Sequence, residues 1–580
     1  MGGSDSSSTT ATSDGPPRKR IIIVGAGASG MSTAYALSLS PQKFDVTVYE
    51  MSSNAGGMAT SYDLSKSMSG KSADAHAQAT EKYGSDYIND GVQGASPQFY
   101  NTFKMFNTLG FTTSEVGMQI AFGKDKDTFW TNVFPSDVVD RYAGDIKKFG
   151  TALKVIKMFE PVFALISVQA MLKMFRFSEG FGNVMLLPLV ALFFGTGNQT
   201  PFISSAILER VFMDPSMKLF EYSPDSLLAS IPEMRSFPRL SKVYEAWTKE
   251  AESRGNVRVV CGRQVLSVKR TSGKNGLDGV TLVSRDVKDV DNNLEIVGPG
   301  KEHTETFDEL VLACDADSAL KILGKDASWK EKKILGNVKY LWDVTYTHSD
   351  LDYMEKYYKV RHDPEMRSGK RDDDEEAQKQ YKFAEKNWEP LYFIHTYPED
   401  QAKIEMSFDL TVYQAQFKGE SVYGPEGKGY KNERDGDDEA THKGRKIPMG
   451  KAPPLEQHVF QTIFLDRDNS SHLWTKDDIA EDKIILKRWW KQQSHRWQHY
   501  GGTVAWMWSI QGKNHTHYAG AWSVLNMNEL AVCSGFAAAY QLGAPYPFKD
   551  DSDCKRLFSL YLALGHLSRM RSEDRKGFFA

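Results

Sequence analysis

The stretch that most constrains the fold runs from Arg20 to Leu39 and reads RIIIVGAGASGMSTAYALSL. An aliphatic run leads into Gly-Ala-Gly-Ala-Ser-Gly, and small residues that suit a helix follow. This order predicts a buried strand, a tight turn and a helix whose N-terminus receives a pyrophosphate. Gly25 suits the tight turn, Gly27 allows the backbone to approach the pyrophosphate, and Gly30 allows close packing of helix on strand.

The residues after these glycines narrow the choice of dinucleotide. The first turn of the helix, with Ala28 and Ser29, offers N–H donors and the positive end of the helix dipole. A second strand is predicted from Phe44 to Glu50. A carboxylate at Glu50 accepts hydrogen bonds from an adenosine ribose and disfavours a 2′-phosphate, so NADP is disfavoured.

The bulk composition excludes several classes of protein. Over 580 residues, 41% are hydrophobic and 25% are charged, and the formal net charge is −4. These values are ordinary for a globular chain and do not favour a nucleic-acid partner. The four cysteines lie far apart without a CxxC pair, so we expect neither a disulfide framework nor a metal site, and we expect a reducing, cytoplasmic compartment.

Two segments bear on membranes. Residues 1–19 are rich in Ser, Thr, Gly and Asp and lack an apolar core, so we interpret them as a disordered leader rather than a secretory signal. Gly2 matches the myristoylation pattern, and its modification stays open. The region 155–200 is unusually apolar but holds no run of about 20 apolar residues. A buried helical subdomain, a lipophilic substrate tunnel and a peripheral membrane surface are the alternatives.

The order of predicted strands and helices along the chain indicates an α/β fold, α+β when the whole chain is considered, with two interleaved domains. A Rossmann-like domain is predicted from residues 20–110, 240–330 and 500–580, and a sheet-plus-helix substrate domain from 111–239 and 331–499. LYFIHTYP, KIEMSFDLTVYQ and HVFQTIFL alternate as antiparallel strands do. Two charged stretches, 367–387 and 424–446, show no clear apolar periodicity and are interpreted as solvated insertions.

Five further motifs carry a resemblance to a known family. They are MSSNAGGMAT, INDGVQGASPQFYNTFKMFNTLGF, VRVVCGRQVLSVKR, FDELVLACDADSAL and HYAGAWSVLNMNELAVCSGFAAA. Together with the glycine-rich turn they resemble the FAD-dependent amine oxidase and phytoene desaturase superfamily, at both ends and in the middle of the chain. Within it the likeness is closest to a poorly characterised group of predicted NAD/FAD-binding flavoproteins. A polyunsaturated fatty acid isomerase belongs to the wider superfamily.

The resemblance implies FAD as the cofactor and assigns positions to it. In such proteins a second glycine pair passes close to the cofactor, a middle segment lies beside the isoalloxazine ring, a strand backbone contacts the adenine, and the final helix points its N–H groups at the flavin pyrimidine. The positions implied here are Met51, Gly56, Gly57, Met58, Gly91, Val92, Val265, Gly520, Ala521, Asn528 and Leu530.

The chain departs from the superfamily pattern at three points. Met58 stands where many members have an arginine that reaches the pyrophosphate, and Leu530 stands where classical amine oxidases have a glycine after the glutamate. No aromatic pair that would enclose an amine substrate is evident. These departures weaken an amine oxidase assignment and leave FAD unaffected.

The sequence therefore predicts an FAD enzyme that takes a hydride from carbon of a lipophilic small molecule. Desaturation or oxidation, and double-bond isomerisation with return of the hydride, are both open. An amine oxidase and a non-catalytic FAD-binding regulatory module are the alternatives. No catalytic base is identified, because each candidate histidine (His76, His495, His499, His515 and His517) has a packing role as the simpler explanation. Oligomeric state, electron acceptor and covalent attachment of the flavin are left open, and peripheral membrane contact is considered.

Overall fold

The computed structural model describes residues 17–68, 74–194, 197–214, 219–271, 278–290, 293–297, 300–419 and 450–575. Residues 1–16 of the predicted leader (1–19) lie outside the described residues, and its last residue, Lys19, is the first residue of β1. The second charged stretch, 424–446, and the myristoylation pattern at Gly2 also lie outside them. In chain order the strands are β1 (Lys19–Val24), β2 (Phe44–Tyr49), β3 (Ser61–Asp63), β4 (Tyr87–Asn89), β5 (Gly94–Ala95), β6 (Ser114–Gly117), β7 (Ile120–Phe122), β8 (Trp130–Thr131), β9 (Tyr222–Ser223), β10 (Leu227–Leu228), β11 (Glu233–Ser236), β12 (Val257–Val260), β13 (Arg263–Thr271), β14 (Gly279–Val290), β15 (Asn293–Ile296), β16 (Glu302–Phe307), β17 (Glu309–Leu312), β18 (Lys339–His348), β19 (Tyr392–Tyr397), β20 (Asp400–Asp409), β21 (Phe460–Phe464), β22 (Ile484–Ser494) and β23 (Thr516–Tyr518).

The helices alternate with these strands along much of the chain. In chain order they are α1 (Ala28–Ser38), α2 (Ala75–Tyr83), α3 (Tyr100–Thr108), α4 (Asp137–Arg141), α5 (Ala143–Met158), α6 (Glu160–Phe163), α7 (Val168–Met174), α8 (Leu187–Phe194), α9 (Ala206–Phe212), α10 (Leu240–Glu252), α11 (Ala316–Leu323), α12 (Trp329–Leu335), α13 (Leu351–Tyr357), α14 (Glu375–Asn387), α15 (Leu410–Tyr413), α16 (Arg467–Ser470), α17 (Trp497–Gly502), α18 (Asn528–Leu542) and α19 (Ser552–His566).

A five-stranded parallel sheet carries the glycine-rich turn. Its order is β12-β2-β1-β17-β23, with every neighbouring pair parallel. The predicted β-α-β unit is confirmed, because α1 connects β1 to β2. The run from Ile21 to Val24 is buried throughout, which is typical of a parallel strand covered on both faces. The strands of this sheet come from the N-terminal part, the middle and the C-terminal part of the chain.

The two faces of the parallel sheet are covered differently. On one face α1 packs against α18, where a Cβ added to Gly535 would lie 2.1 Å from the carbonyl oxygen of Ser29. On the other face Ile22 and Val24 pack in one apolar cluster with Val265 and Leu282 of the antiparallel strands β13 and β14. The sheet is therefore a rigid layer between helices and a small antiparallel sheet, and its carboxyl edge is left for the connecting loops.

A second, seven-stranded sheet has the order β22-β18-β21-β20-β19-β7-β8. Its pairs are antiparallel except for β19 and β7, which are parallel. The three segments predicted to alternate as antiparallel strands are confirmed as β19, β20 and β21. One face packs on α13 and α14, and residues on the other face join the large apolar cluster that also includes α1 and α18.

The first charged stretch was interpreted wrongly as a solvated insertion. Its second half is α14, and Ala377, Tyr381 and Ala384 of this helix are buried. They stand at i, i+4 and i+7, the spacing of one helix face. Since two of the three are alanines, the apolar side of the helix is narrow and is hidden among charged residues in the sequence.

The apolar region 155–200 is helical in the structure. It runs from the end of α5 through α6 and α7 to α8, and many of its side chains are buried. In the described part of the chain, no helix is both long enough and apolar enough to cross a membrane.

Candidate functional site

The loops that follow the parallel strands converge at the carboxyl edge of the five-stranded sheet. Three of them hold predicted binding residues: Gly25–Gly30 after β1, Glu50 and Met51 after β2, and Gly520–Ala521 after β23. In open sheets of this kind ligands bind in the crevice beyond the carboxyl ends of the strands. The topology therefore brings the first, second and last predicted segments to one edge.

Two glycines of the first turn are required by close packing. Gly25 has a φ of 103°, and a Cβ there would lie 2.6 Å from the carbonyl oxygen of Ala313. A Cβ on Gly30 would lie 1.9 Å from the carbonyl oxygen of Gly25. Both distances are far inside van der Waals contact, so Gly25 and Gly30 are needed for the turn itself.

Gly27 is different, because a Cβ added there would make only an ordinary van der Waals contact. Its φ is −73°, which any residue adopts, and the atom nearest to an added Cβ is the Cα of Gly57 at 3.8 Å. Gly27 is the N-cap of α1, and no side chain of the described residues caps this helix end. The backbone N–H groups of the first turn, which includes Ala28 and Ser29, are therefore available to an external acceptor.

Gly56 and Gly57 pack against this turn. The N–H of Gly56 donates to the carbonyl oxygen of Ala26 at 3.0 Å. Gly57 has a φ of 61°, and a Cβ there would lie 3.2 Å from the Cα of Gly27. The two glycine loops thus pack backbone against backbone, and neither places a side chain over the start of α1.

Glu50 is held in place by the same loops. One carboxylate oxygen accepts from the N–H of Ala26 at 2.8 Å and the other accepts from the N–H of Ser52 at 2.9 Å. Each oxygen has a second lone pair, so the carboxylate can still accept from a ligand hydroxyl. Met51 and Met58 are half exposed, so neither is tied into the core.

The segment around Gly91 joins the crevice to the seven-stranded sheet. A Cβ on Gly91 would lie 2.0 Å from the carbonyl oxygen of Met58. Val92 packs, partly buried, on the large apolar cluster. Gln93 donates from its Nε2 to Oε1 of Gln461 on β21 at 2.6 Å. This hydrogen bond fixes the Gly91 segment between the two sheets.

Val265 lies near the edge of the crevice rather than in its centre. It is on β13, where the register shifts between Val265 and Ser267. The preceding Arg263 donates its N–H to the carbonyl oxygen of Glu50 at 2.8 Å, so β13 begins beside Glu50.

The C-terminal motif approaches α1 from the opposite side. The N–H of Gly520 donates to Oγ of Ser534 at 2.9 Å, and Oγ of Ser534 lies 3.2 Å from Oγ of Ser29. Ala521 begins a short 3-10 turn with Trp522. The motif is therefore hydrogen-bonded through Ser534 to the first turn of α1.

The N-terminus of α18 is anchored by its own glutamate. Glu529 is buried, and its carboxylate accepts from both the backbone N–H and the side chain of Asn101 and of Thr102, at distances of 2.7 to 2.9 Å. These residues form the first turn of α3. Asn528 donates to Oγ1 of Thr102 at 3.3 Å, and Leu530 is buried. Glu529 thus joins two helix starts, a role that the sequence analysis did not assign.

A buried ion pair that sequence reasoning missed lies beside Gly91. Nη1 of Arg488 lies 2.8 Å from Oδ2 of Asp90, and Thr60 donates to Oδ1 of Asp90 at 2.8 Å. Burial raises the pKa of Asp90, while Arg488 and then Thr60 act in the opposite direction. The pair places a neutralised charge next to the crevice.

Replacing Arg488 by methionine should therefore lower the free energy of unfolding by about 3–5 kcal/mol, because Asp90 would keep a buried charge without its partner. The double variant Arg488→Met/Asp90→Asn should recover most of this loss. Urea unfolding measures both. Arg361→Met is the matched control, since Arg361 is exposed and its ion pairs should contribute little. A double variant as unstable as the single one would contradict the assignment.

Two buried histidines support the loop between Trp522 and α18. Nε2 of His499 lies 2.6 Å from the carbonyl oxygen of Trp522, so it carries the proton. Nε2 of His495 accepts from the N–H of Asn526 at 3.3 Å, so its proton is on Nδ1. Burial lowers the pKa of His499 to about 4 and that of His495 well below its ordinary value. Both rings are neutral near pH 7 and position the loop.

This neutrality predicts a loss of stability in mild acid. Unfolded His499 takes up a proton below its ordinary pKa of 6.5, whereas the folded protein resists protonation down to about 4. The contribution of neutral His499 to the free energy of unfolding is therefore complete above pH 6.5 and is lost as the pH falls towards 4. Between about pH 7 and about pH 5 the loss is about 2 kcal/mol. Urea unfolding should show this loss, and His499→Gln, which keeps a donor but does not titrate, should reduce it. Replacement of the exposed His472 by glutamine is the control and should leave the pH-dependent loss of stability unchanged. If His499→Gln lost as much stability between about pH 7 and about pH 5 as the unaltered protein, the assignment would be refuted.

Aromatic and aliphatic side chains of the second sheet lie on the same sheet face as Gln461, the hydrogen-bond partner of Gln93. Tyr392, Phe408 and Ile463 are partly buried and pack on the large apolar cluster. The ring centroids of Tyr392 and Phe408 are 4.8 Å apart, and those of Tyr392 and Tyr413 are 5.7 Å apart. Phe408 pairs with Gln461, the partner of Gln93. An apolar surface that retains some accessibility therefore adjoins the Gly91 segment.

The remaining histidines and the tryptophans have separate surroundings. His76 lies beside the buried Asp86, His515 lies beside the exposed Asp278, and His517 is buried on β23. Three of the C-terminal tryptophans, Trp489, Trp506 and Trp508, are exposed.

Comparisons with known proteins agree with this geometry. Residues 23–103 match the NAD(P)-binding Rossmann-like domain. A putrescine oxidase variant aligns with a TM-score of 0.52 and 11% identity over 91% of this chain and 99% of its own. Cyclohexylamine oxidase from Brevibacterium oxydans IH-35A aligns with a TM-score of 0.51 and 12% identity over 91% of this chain and 100% of its own. A fatty acid isomerase from P. acnes aligns with a TM-score of 0.48 and 12% identity over 89% of this chain and 97% of its own. No curated protein sequence matches. The predicted α/β fold with a Rossmann-like domain is confirmed, and the resemblance to amine oxidases is confirmed as a likeness of fold.

Proposed function

We propose that this chain is an FAD-dependent enzyme that takes a hydride from a carbon atom of a lipophilic small molecule. The observation that carries the proposal is the uncapped start of α1, where Gly27 and Gly57 meet backbone to backbone and no side chain lies within 4 Å of a Cβ added to Gly27. Backbone N–H groups at a helix N-terminus, faced by a second glycine loop, suit a pyrophosphate. This chain needs such a cradle, because Met58 supplies no positive charge there.

The residues around this helix start fit the rest of an FAD molecule. Glu50 is fixed by two backbone N–H groups and keeps lone pairs for the adenosine ribose. Gly91 and Val92 would lie beside the isoalloxazine ring, Val265 beside the adenine, and Gly520 and Ala521 along the ribityl and pyrophosphate part. FAD bound here would supply an electron acceptor for a hydride.

The N-terminus of α18 would face the polar end of the ring. Its position depends on Glu529, which ties Asn528–Leu530 to α3, and on His495 and His499, which hold the loop before it. The N–H groups and the positive dipole end would stabilise negative charge that develops on the ring.

The apolar lining favours a lipophilic substrate. Tyr392, Phe408 and Ile463 offer an apolar surface beside the Gly91 segment. The nearby carboxylate, Asp90, is already paired with Arg488, so it offers no free charge to an ammonium group. We therefore prefer a lipophilic small molecule over an amine. The parallel sheet and its loops would be the FAD-binding part, and the seven-stranded sheet with α5–α9 the substrate part.

An amine oxidase is the second candidate, because two proteins with this fold act on amines by name. A non-catalytic FAD-binding module is a third. Oxidation and double-bond isomerisation remain distinct outcomes of the preferred function. We propose a cytoplasmic enzyme that contacts a membrane peripherally.

The test is an anaerobic absorption spectrum of the purified protein with fatty acids, isoprenoids and amines in turn. We expect bleaching by a lipophilic compound, with recovery on admission of air if the reaction is a net oxidation. A substrate that changes while the flavin stays oxidised at steady state would indicate isomerisation. Bleaching by amines alone would favour the second candidate, and bound FAD that no compound bleaches would favour the third.

A further inference from the structure

One side of the α5–α6 segment leaves large apolar side chains uncovered. Met158 is 74% exposed, Phe159 50%, Val162 55% and Leu165 52%. α5 ends at Met158, and the φ of −118° and ψ of 34° at Phe159 interrupt the helix before α6. The N–H groups of Val162 and Phe163 both donate to the carbonyl oxygen of Phe159, so one helical turn follows this break. Phe159 and Val162, three residues apart, therefore lie on the same side of that turn. Folded proteins rarely expose a contiguous apolar patch of this kind unless it contacts something.

This patch continues onto a different part of the chain. A Cβ added to Gly501 would lie 2.6 Å from Cδ2 of Leu165, so the two residues are in contact. Trp506, which is exposed, donates its indole N–H to the carbonyl oxygen of Gly501 at 3.0 Å. We call Met158, Phe159, Val162, Leu165 and Trp506 the apolar surface.

Three exposed basic residues lie close in sequence to the apolar surface. Lys154 lies one turn before Met158, and Lys173 and Arg176 lie on and just after α7; all three are exposed. Among the described residues no carboxylate forms an ion pair with any of these three cations. Glu160, the acidic residue within the segment, is paired with Arg210 at 2.6 Å. An apolar face accompanied by such basic residues is complementary to a lipid bilayer that carries anionic headgroups.

The apolar surface is connected to the candidate cofactor site by α17. Gly501, which contacts Leu165, belongs to the same short helix as His499. His499 binds the carbonyl of Trp522, two residues after Gly520. The exposed surface and the crevice are therefore separated by a single helix.

We propose that the apolar surface docks this protein onto anionic bilayers, from which its lipophilic substrate is drawn. The docking specifies the peripheral membrane contact proposed above and does not depend on the reaction, whereas the second clause rests on the proposed function. Docking would bury the apolar residues in the interfacial layer and place the basic residues at the headgroups. It would also keep α17 against the membrane, with the crevice directly behind it.

The experiment is sedimentation of the purified flavin-containing protein with vesicles. One set is phosphatidylcholine and the other contains about 25% phosphatidylserine. We expect stronger binding to the anionic set, weakened by salt. Phe159→Ser/Val162→Ser should lower the partition coefficient about tenfold or more, and Lys154→Glu/Lys173→Glu should abolish the preference for phosphatidylserine. Trp329→Ser/Phe383→Ser, on exposed apolar residues of α12 and α14, is the matched control and should bind like the unaltered protein.

Failure of the unaltered protein to sediment with either set would overturn the proposal, as would equal binding by Phe159→Ser/Val162→Ser. Light scattering adds a further outcome: if that variant dissociates a dimer that does not bind vesicles, a second copy covers the surface and the proposal is wrong. Flavin content and bleaching are measured on the same samples. Vesicle binding without bleaching by any compound would leave docking intact and count against the proposed function.

Discussion

Replacing Gly27 by valine should produce a folded protein that no longer retains FAD. The φ of Gly27 suits any residue, and an added Cβ would approach the Cα of Gly57 no closer than 3.8 Å. The fold can therefore accept a side chain here, whereas the isopropyl group would fill the space assigned to the pyrophosphate. We expect the ratio of flavin to protein absorbance to fall about tenfold or more, with circular dichroism unchanged.

Three other glycines make this result specific. Gly25→Val and Gly30→Val should prevent folding, because their added atoms would overlap the backbone of Ala313 and of Gly25. Gly369→Val, at a position with nothing within 4 Å, should leave both folding and flavin content unchanged. Full retention of FAD by folded Gly27→Val would show that the pyrophosphate lies elsewhere.

Replacing Glu529 by alanine should lower the free energy of unfolding by about 3–5 kcal/mol. The carboxylate accepts four hydrogen bonds from Asn101 and Thr102, and two of the donors are first-turn N–H groups of α3. Removal leaves these buried donors without an acceptor, which costs more than the hydrogen bonds themselves contribute. Urea unfolding followed by far-UV circular dichroism measures the loss.

The neighbouring Asn528→Ala is the control for this prediction. Asn528 contributes one hydrogen bond, of 3.3 Å, to Thr102, so its loss should cost about 1 kcal/mol or less. Glu529→Ala should also lower the flavin content more than Asn528→Ala does, because Glu529 sets the position of the N-terminus of α18. If Glu529→Ala were as stable as Asn528→Ala, Glu529 would not be the anchor that its geometry indicates.

Local pattern was sufficient for much of the fold. The β1–α1–β2 unit and the antiparallel strands β19–β21 are as predicted, because each depends on residues close together in the chain. The start of α18 near Asn528 is also as expected, but from the resemblance to the flavoprotein superfamily rather than from local pattern. The short strand β4 and the helix α14 were missed. In α14 the buried face holds two alanines and one tyrosine, and tertiary contact with the second sheet determines that it packs.

The same distinction between local and distant residues applies to the candidate site. The glycine-rich turn and the second glycine pair could be predicted as backbone features, because each is set by residues within a short segment. That they and Glu50 hold a pyrophosphate and a ribose stays a prediction. The pair Asp90–Arg488, the four hydrogen bonds of Glu529 and the histidines behind Trp522 could not, since their partners come from distant parts of the chain. Neither a carboxylate nor a histidine reveals in sequence which group will neutralise or orient it.

The sequence by itself determined that this chain has a Rossmann-like turn for a dinucleotide and where its strand, turn and helix lie, because steric and hydrogen-bonding requirements of adjacent residues set those features. Tertiary structure decided that Gly27 has room for a Cβ while Gly25 and Gly30 do not, that Glu529 anchors two helices, and that Met158, Phe159, Val162 and Leu165 remain exposed. The physical reason is that burial, ion pairing and exposure are properties of a side chain's surroundings, and those are assembled only when distant segments meet.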